Sequence, residues 1–224
     1  MTRLFGHRGL HHTAPENSLA AFRAARALGL DGVELDVRAS ADGVLFVHHD
    51  PDLAGRALIH TPAADLGALA RLDEALGACG DLEVNVEVKM DAYGAQDPAR
   101  ARLLKAVVEV VGASGAHASY SSFDRSACRA LVGLAPASAV GWLLDEGEDL
   151  AGAILSAHEE GFAAVHPHFR DVDVRLVVAA HAAGLAVNVW TPNEESELVA
   201  MILARVDAII TDEPERARLL LGKA

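Results

Sequence analysis

The stretch GVELDVRASADGVLFVHHD, residues 32–50, decides the fold. Val33, Leu35 and Val37 alternate with Glu34, Asp36 and Arg38. Side chains alternate across a strand, so one face packs on apolar neighbours and the other carries charge. Asp42-Gly43 follows, a strong two-residue hairpin signal, and Val44–His49 is expected to fold back on Gly32–Ala39. With Asp42 and Gly43 as the turn, Ala41 pairs with Val44 and Asp36 with His49. Directly opposed residues share a face, which puts His49 beside Glu34 and Asp36 and turns His48 away. A bulge would exchange the two histidines.

Outward from this hairpin, short β-branched runs alternate with helical stretches. Strands are expected at Arg3–Gly6, Gly32–Ala39, Glu83–Lys89, Ala118–Phe123, Ala139–Leu144, Ala163–His168, Leu185–Thr191 and Asp207–Thr211. Helices are expected at Ser18–Leu28, Asp65–Ala78, Pro98–Val111, Asp124–Leu134, Asp149–Glu159, Asp173–Ala183, Glu194–Leu203 and Glu215–Leu221. Several begin at a Ser or Asp suited to N-capping, and Gly29, Gly112 and Gly184 suit the stop. Eight β/α units plus one hairpin arm make an α/β protein, a (β/α)8 TIM barrel with an extra strand after the second barrel strand. A doubly wound open sheet is the alternative, but no Gly-rich phosphate loop follows the first strand. The whole chain, 1–224, reads as a single barrel domain, since no linker interrupts it.

Composition narrows the partners. A net charge of −13 with three lysines leaves no basic patch for nucleic acid. No apolar run is long enough to cross a membrane, and the N-terminus lacks signal-peptide design. Cys79 and Cys128 lack metal spacing and make a poor disulfide framework. These features predict a cytoplasmic protein without a membrane anchor.

Polar motifs fall where a barrel places its catalytic rim: His7-Arg8-Gly9, Pro15-Glu16-Asn17-Ser18, Glu34-Leu35-Asp36, His49-Asp50 and Glu87-Val88-Lys89. Charge inside otherwise apolar strands costs free energy unless it is paired or binds a metal. Glu34, Asp36 and Glu87 are hard oxygen donors that favour Mg2+ or Ca2+ over Zn2+. Salt-bridging to Arg38 and Lys89 is the structural alternative. Charge counting favours a metal. The three carboxylates outweigh Arg8 and Lys89 by one negative charge, which would repel an anionic substrate, and a divalent cation reverses that sign. His7 and His49 flank this set and can divide general-base and general-acid roles. His11, His12, His48, His60, His117, His158 and His181 read as structural, while His166 and His168 could face the barrel. Trp190 closes the seventh barrel strand, where it packs or walls an alcohol or choline-like group. No serine or cysteine nucleophile motif surrounds Ser121, Ser122, Thr191 or Thr211.

The ordered set of motifs resembles the glycerophosphodiester phosphodiesterase family. To those already quoted it adds Leu72-Asp73-Glu74-Ala75-Leu76, Ser122-Phe123, Val189-Trp190-Thr191 and Ile209-Ile210-Thr211-Asp212-Glu213-Pro214. The resemblance implies a (β/α)8 barrel that hydrolyses small-molecule glycerophosphodiesters to glycerol 3-phosphate and an alcohol. It implies one divalent ion, Mg2+ or Ca2+, at Glu34, Asp36 and Glu87, acid/base work by His7 and His49, and phosphate contacts from Arg8 and Lys89. In that scheme the neighbouring glycerol hydroxyl attacks phosphorus, and water opens the cyclic phosphate. The family's Arg-Thr-Thr stretch is replaced here by Asp52-Leu53-Ala54-Gly55-Arg56, and only residues 50–86 separate His49 from Glu87, so an open mouth is expected. Two competing functions are a phospholipase D- or C-like phosphotransferase that stops at a cyclic phosphate, and a non-catalytic barrel that binds a phosphorylated ligand.

Overall fold

The computed structural model describes residues 2–222. Eleven strands follow in chain order: β1 (Arg3–Gly6), β2 (Gly32–Ala39), β3 (Leu45–Val47), β4 (Asp52–Leu53), β5 (Arg56–Ala57), β6 (Glu83–Val88), β7 (Ala118–Ser122), β8 (Val140–Leu144), β9 (Ala164–Pro167), β10 (Ala186–Trp190) and β11 (Ala208–Thr211). Eight of them, β1, β2 and β6 to β11, pair in parallel, and the β1–β2 pairing closes the ring into a (β/α)8 barrel. β3 is the extra arm, antiparallel to β2. The helices are α1 (Leu19–Leu28), α2 (Leu72–Cys79), α3 (Ala99–Ser114), α4 (Arg125–Leu134), α5 (Leu150–Glu159), α6 (Val174–Ala182), α7 (Glu195–Ala204) and α8 (Pro214–Leu220). None is long and apolar enough to cross a membrane among the described residues.

Local chemistry explains most of these boundaries. The side chains of Ser18, Asp124, Asp149 and Asp173 each accept a backbone N–H in the first turn of the following helix. The expected stop at Gly112 does not occur: α3 runs on to Ser114, and Gly115 makes the left-handed turn. α2 is also shorter than the expected Asp65–Ala78. Its first half is lost because Val47 N–H takes the Ala70 carbonyl (2.8 Å), which ties residue 70 to the free edge of β3. Glu74 then caps the Arg71 N–H (3.1 Å), and the helix starts at Leu72. Upstream, two single 3-10 turns and the small β4–β5 hairpin cover a satellite cluster of Phe46, Leu58 and Leu66.

The β2–β3 register differs by one residue from the expected one. Ala39 pairs with Leu45 and Val37 with Val47, so Ala41-Asp42-Gly43 is a three-residue loop closed by Ser40 and Val44. Ser40 is the cause. Its hydroxyl accepts the Val44 N–H (3.0 Å) and donates to Asp42 Oδ1 (2.7 Å), while Gly43 supplies the positive φ of 84° that such a loop needs. Across from Asp36 the structure therefore places His48, whose N–H reaches the Asp36 carbonyl at 3.0 Å, rather than His49.

The outer face of the barrel strands packs on the helices through Val33, Leu35, Val37, Val84, Val86 and Val88, all buried. The interior is partly polar instead of filled with aliphatic layers. Asn85 donates to Ser121 (2.9 Å), and Asn188 donates to His166 Nε2 (2.9 Å). Phe5, Ala208 and Ile210 form the apolar sector, with Trp190 packed against them. At the closing seam Gly32 faces Phe5, and a Cβ there would sit 2.5 Å from both the Glu83 carbonyl oxygen and the Phe5 ring. Gly32→Ala should cost about 1–3 kcal/mol of stability through overpacking. Urea unfolding of the two proteins measures this, and an unchanged midpoint would refute the tight seam.

Candidate active site

The mouth of the barrel, at the C-terminal ends of its strands, gathers the charged motifs. Glu34 and Asp36 come from β2 and Glu87 from β6, all buried. One ligand oxygen from each lies within 4.8 Å of the others. Lys89 Nζ contacts Glu87 Oε1 and stands 2.9 Å from Asp36 Oδ1. Arg8 Nε lies 3.4 Å from Asp36 Oδ2, and its Nη1 donates to both Glu16 carboxylate oxygens at 2.9 and 3.0 Å. Arg38 stays out of the cluster. Its guanidinium makes a bidentate pair with Asp91 (2.7 and 2.9 Å) and donates through Nε to the His49 carbonyl (2.8 Å).

Backbone geometry fixes the first motif. Arg8 and Asn17 both adopt left-handed conformations (φ 54° and 53°), and Asn17 N–H donates to the Arg8 carbonyl at 3.0 Å. Such a conformation in a non-glycine residue costs on the order of 1 kcal/mol, so surrounding contacts must hold it. The Arg8 N–H donates to Glu34 Oε2 (3.1 Å), and Asn17 Nδ2 donates to Asp36 Oδ2 (2.8 Å).

Electrostatics separate the three acids. Burial and the neighbouring charges of Asp36 and Glu87 push the Glu34 carboxyl well above the ordinary carboxylate range. Burial likewise raises Glu87, to about 7, against the pull of Lys89. Asp36 is buried too, but Lys89, Arg8 and Asn17 outweigh the desolvation and hold it below its usual value. Burial works against the charge of Lys89, yet Glu87 and Asp36 raise its pKa. Arg8 is raised in the same way, with Asp36, Glu34 and Glu16 outweighing its burial. Fully ionised, the three acids would exceed Lys89 and Arg8 by one negative charge, and without a further cation burial and mutual repulsion hold Glu34 and Glu87 toward their protonated forms. Glu34 Oε1 is buried with no hydrogen-bond partner among the described residues. A hard divalent cation fits that donor set.

His7 and His49 line one cavity of about 240 Å3 with Arg8, Glu34, Glu87 and Lys89. His7 follows β1, with Nδ1 2.7 Å from Asp212 Oδ1 and Nε2 3.9 Å from Glu34 Oε2. His49 reaches the cavity although the register argument that placed it fails. β3 ends at Val47, and Arg38 captures the His49 carbonyl as the chain leaves the strand. Its Nδ1 lies 2.8 Å from Asp50 Oδ1. Burial and Lys89 lower its pKa, against the Asp50 contact. His48 points elsewhere, its Nε2 3.1 Å from the Asp52 carbonyl. Trp190 walls the cavity, edge-on to Phe123 and His168. Past Phe123, a groove of about 560 Å3 continues along Tyr93 and Asp145.

Sequence reasoning missed Asp212 as a partner of His7. Asp212 follows β11, and Asn193 Nδ2 donates to its Oδ2 (2.8 Å). His7 and burial act on its carboxyl in opposite senses, and the hydrogen bonds hold it far below the usual range. An acid directly after a barrel strand was the available signal. His11 Nε2 also reaches Asp212 Oδ1 (2.9 Å).

A parallel barrel that carries an acidic cluster, two cations and two imidazoles at its mouth defines a phosphoric diester hydrolase. A model of the glycerophosphoryl diester phosphodiesterase family matches residues 7–61 and 56–216. The glycerophosphodiester phosphodiesterase of Caldanaerobacter subterraneus is 29% identical over 247 residues, covering 99% of this chain and 98% of the relative. The solved structure of a putative glycerophosphoryl diester phosphodiesterase from Silicibacter pomeroyi superposes with a TM-score of 0.91 at 28% identity, over 100% of this chain and 94% of that one. A phosphodiesterase from Oleispira antarctica, solved with the product sn-glycerol-3-phosphate, gives 0.88 at 25% identity, over 99% and 97%. The chain belongs to the glycerophosphoryl diester phosphodiesterase family.

His166 lies within the barrel, fully buried, and desolvation drives its pKa down to about 3, with Arg3 adding to the effect. Below its ordinary pKa near 6.5 the unfolded chain binds a proton that the folded ring refuses. Stability contributed by this site is therefore complete above about pH 6.5 and falls as pH drops toward 3. His166→Gln should flatten the loss of stability between pH 6 and 4 by up to about 1.4 kcal/mol per pH unit. Urea unfolding across that range tests it, and equal slopes would count against a neutral buried ring.

Proposed function

We propose that the cavity hydrolyses glycerophosphodiesters to glycerol 3-phosphate and an alcohol, with Mg2+ or Ca2+ held by Glu34, Asp36 and Glu87. The observation that carries this reading is the meeting of His7 and His49 with that carboxylate cluster in one cavity. The bound ion would supply Lewis-acid polarisation of a phosphoryl oxygen. Lys89 and Arg8 add positive charge for the phosphate, Lys89 as a point charge and Arg8 through its planar fork. Trp190 and Phe123 wall the side where an alcohol would lie.

The two imidazoles move the protons. Asp212 accepts from His7 Nδ1–H, which leaves Nε2 as the free acceptor. As the glycerol hydroxyl attacks phosphorus, its proton passes to one imidazole, and the other protonates the departing alcohol. Water then opens the cyclic phosphate, giving its proton to the second imidazole while the first returns its own to the glycerol oxygen. The scheme needs no enzyme nucleophile, and no activated cysteine is present among the described residues. Cys79 and Cys128 are buried, and burial pushes both thiols up to about 12.

Incubation with glycerophosphocholine, with product analysis for glycerol 3-phosphate, cyclic phosphate and choline, tests the reading. Chelation should abolish turnover, and Mg2+ or Ca2+ should restore it. Full activity in protein shown by elemental analysis to be metal-free would sink the metal requirement. Accumulation of cyclic phosphate as the final product would instead make the enzyme a phosphotransferase.

Separate substitutions test the histidines. His7→Ala and His49→Ala should each lower kcat by about 10²–10⁴-fold, while His48→Ala keeps most of it. A His48 variant as impaired as the His49 variant would overturn the assignment.

A further inference from the structure

A second group of ligand atoms stands beside the carboxylate cluster and differs from it in kind. His7, His11 and Asp212 each offer one ligand atom within 4.8 Å of the others. His7 Nδ1 and His11 Nε2 approach the same oxygen, Asp212 Oδ1, at 2.7 and 2.9 Å. Asn193 holds the other oxygen and so keeps Oδ1 turned toward the two rings. The three side chains retain 20–28% of their surface, enough for an ion to enter and for solvent to complete its shell. Glu34 and Glu213 stand nearby, facing His7 and His12 respectively.

Two imidazoles and one carboxylate suit a borderline metal, whereas Glu34, Asp36 and Glu87 suit a hard one. We propose that His7, His11 and Asp212 bind Zn2+, and that the bound ion switches the enzyme off by fixing the tautomer of His7. Metal-free, each ring carries its proton on the nitrogen that faces Asp212. Zn2+ takes the lone pair of that nitrogen, its proton leaves to solvent, and the ring's other nitrogen takes one up. His7 Nε2, 3.9 Å from Glu34, then becomes an N–H and accepts no proton from an attacking hydroxyl. Zinc bonds of about 2.0–2.2 Å in a tetrahedral shell require the ligand atoms to separate by about half an ångström. The part-exposed His11 ring can make that move. The binding half stands on these three residues alone, and the inhibition half rests on the proposed role of His7.

The test uses chelator-stripped protein in saturating Mg2+, with Co2+ as a spectroscopic probe and Zn2+ as competitor. The wild type should take up one Co2+ with a visible nitrogen/oxygen-type absorption band, which Zn2+ displaces and excess Mg2+ does not. Zn2+ should also stop turnover of glycerophosphocholine. His11→Ala, measured against its own Zn2+-free rate, should lose the Co2+ band and need on the order of tenfold or more Zn2+ for inhibition. Zn2+ affinity unchanged in His11→Ala, or no Co2+ band in the wild type, overturns the site. Zn2+ uptake without loss of rate overturns the switch. A wild type inactive with every hard metal counts against the proposed function, while the Co2+ band still decides the site.

Discussion

Three carboxylates buried within a few ångströms of one another are the constraint around which the barrel mouth is built. Each taken alone would shed its charge in that environment, and together they repel. Lys89 and Arg8 offset part of this, and the backbone bends to bring them in. Arg8 and Asn17 accept left-handed conformations because each then places a donor on the cluster, Arg8 through its N–H on Glu34 and Asn17 through its amide on Asp36. Truncating one cation of such a group leaves an uncompensated buried charge, a larger effect than the net worth of the pair. The site is thus held by polar groups that need one another, and the valines behind them hold the strands in place.

The division between the two faces of a strand was legible because it is a local property. Alternation along 32–39 and 83–88 predicted the buried valines and the inward acids, and the helix caps at Ser18, Asp124, Asp149 and Asp173 followed from single residues. The hairpin register was not legible from Asp42-Gly43 alone. Ser40 decided it by closing a three-residue loop with its hydroxyl, so the pairing moved by one residue. His49 nonetheless reached the cavity, since pairing stops before it and Arg38 sets its backbone instead. The front half of the expected second helix failed for a related reason: the edge of β3 claimed the Ala70 carbonyl.

The position of Asp212 after a barrel strand was visible in the sequence, but its meeting with His7 and His11 was not, because those partners are distant in the chain. Asp212 meets His7 across 205 positions, through closure of the barrel between its first and last strands. No periodicity carries that information. The same closure makes β1 the meeting place of the two halves of the site: its C-terminal end feeds His7 and Arg8 toward β2 on one side and Asp212 on the other. His166 shows the opposite case. Its strand pattern allowed an inward ring, yet the ring sits below the cavity, bonded to Asn188, and takes no part in the cavity wall.

The link from Arg38 to the His49 carbonyl has an evolutionary consequence. Arg38 is anchored in β2 and clamped by Asp91, just beyond β6, which carries Glu87 and leads into Lys89. His49 is therefore registered to the barrel from behind, through Arg38 in β2 and Asp91 just past the next barrel strand. Apart from Asp50, whose carboxylate meets the His49 ring, the segment that follows, with its small hairpin and two short turns, has no part in this anchorage. It can lengthen, shorten or acquire a subdomain while the imidazole keeps its address. The shape of the barrel mouth can then change by loop replacement while the cavity between His7 and His49 stays as it is.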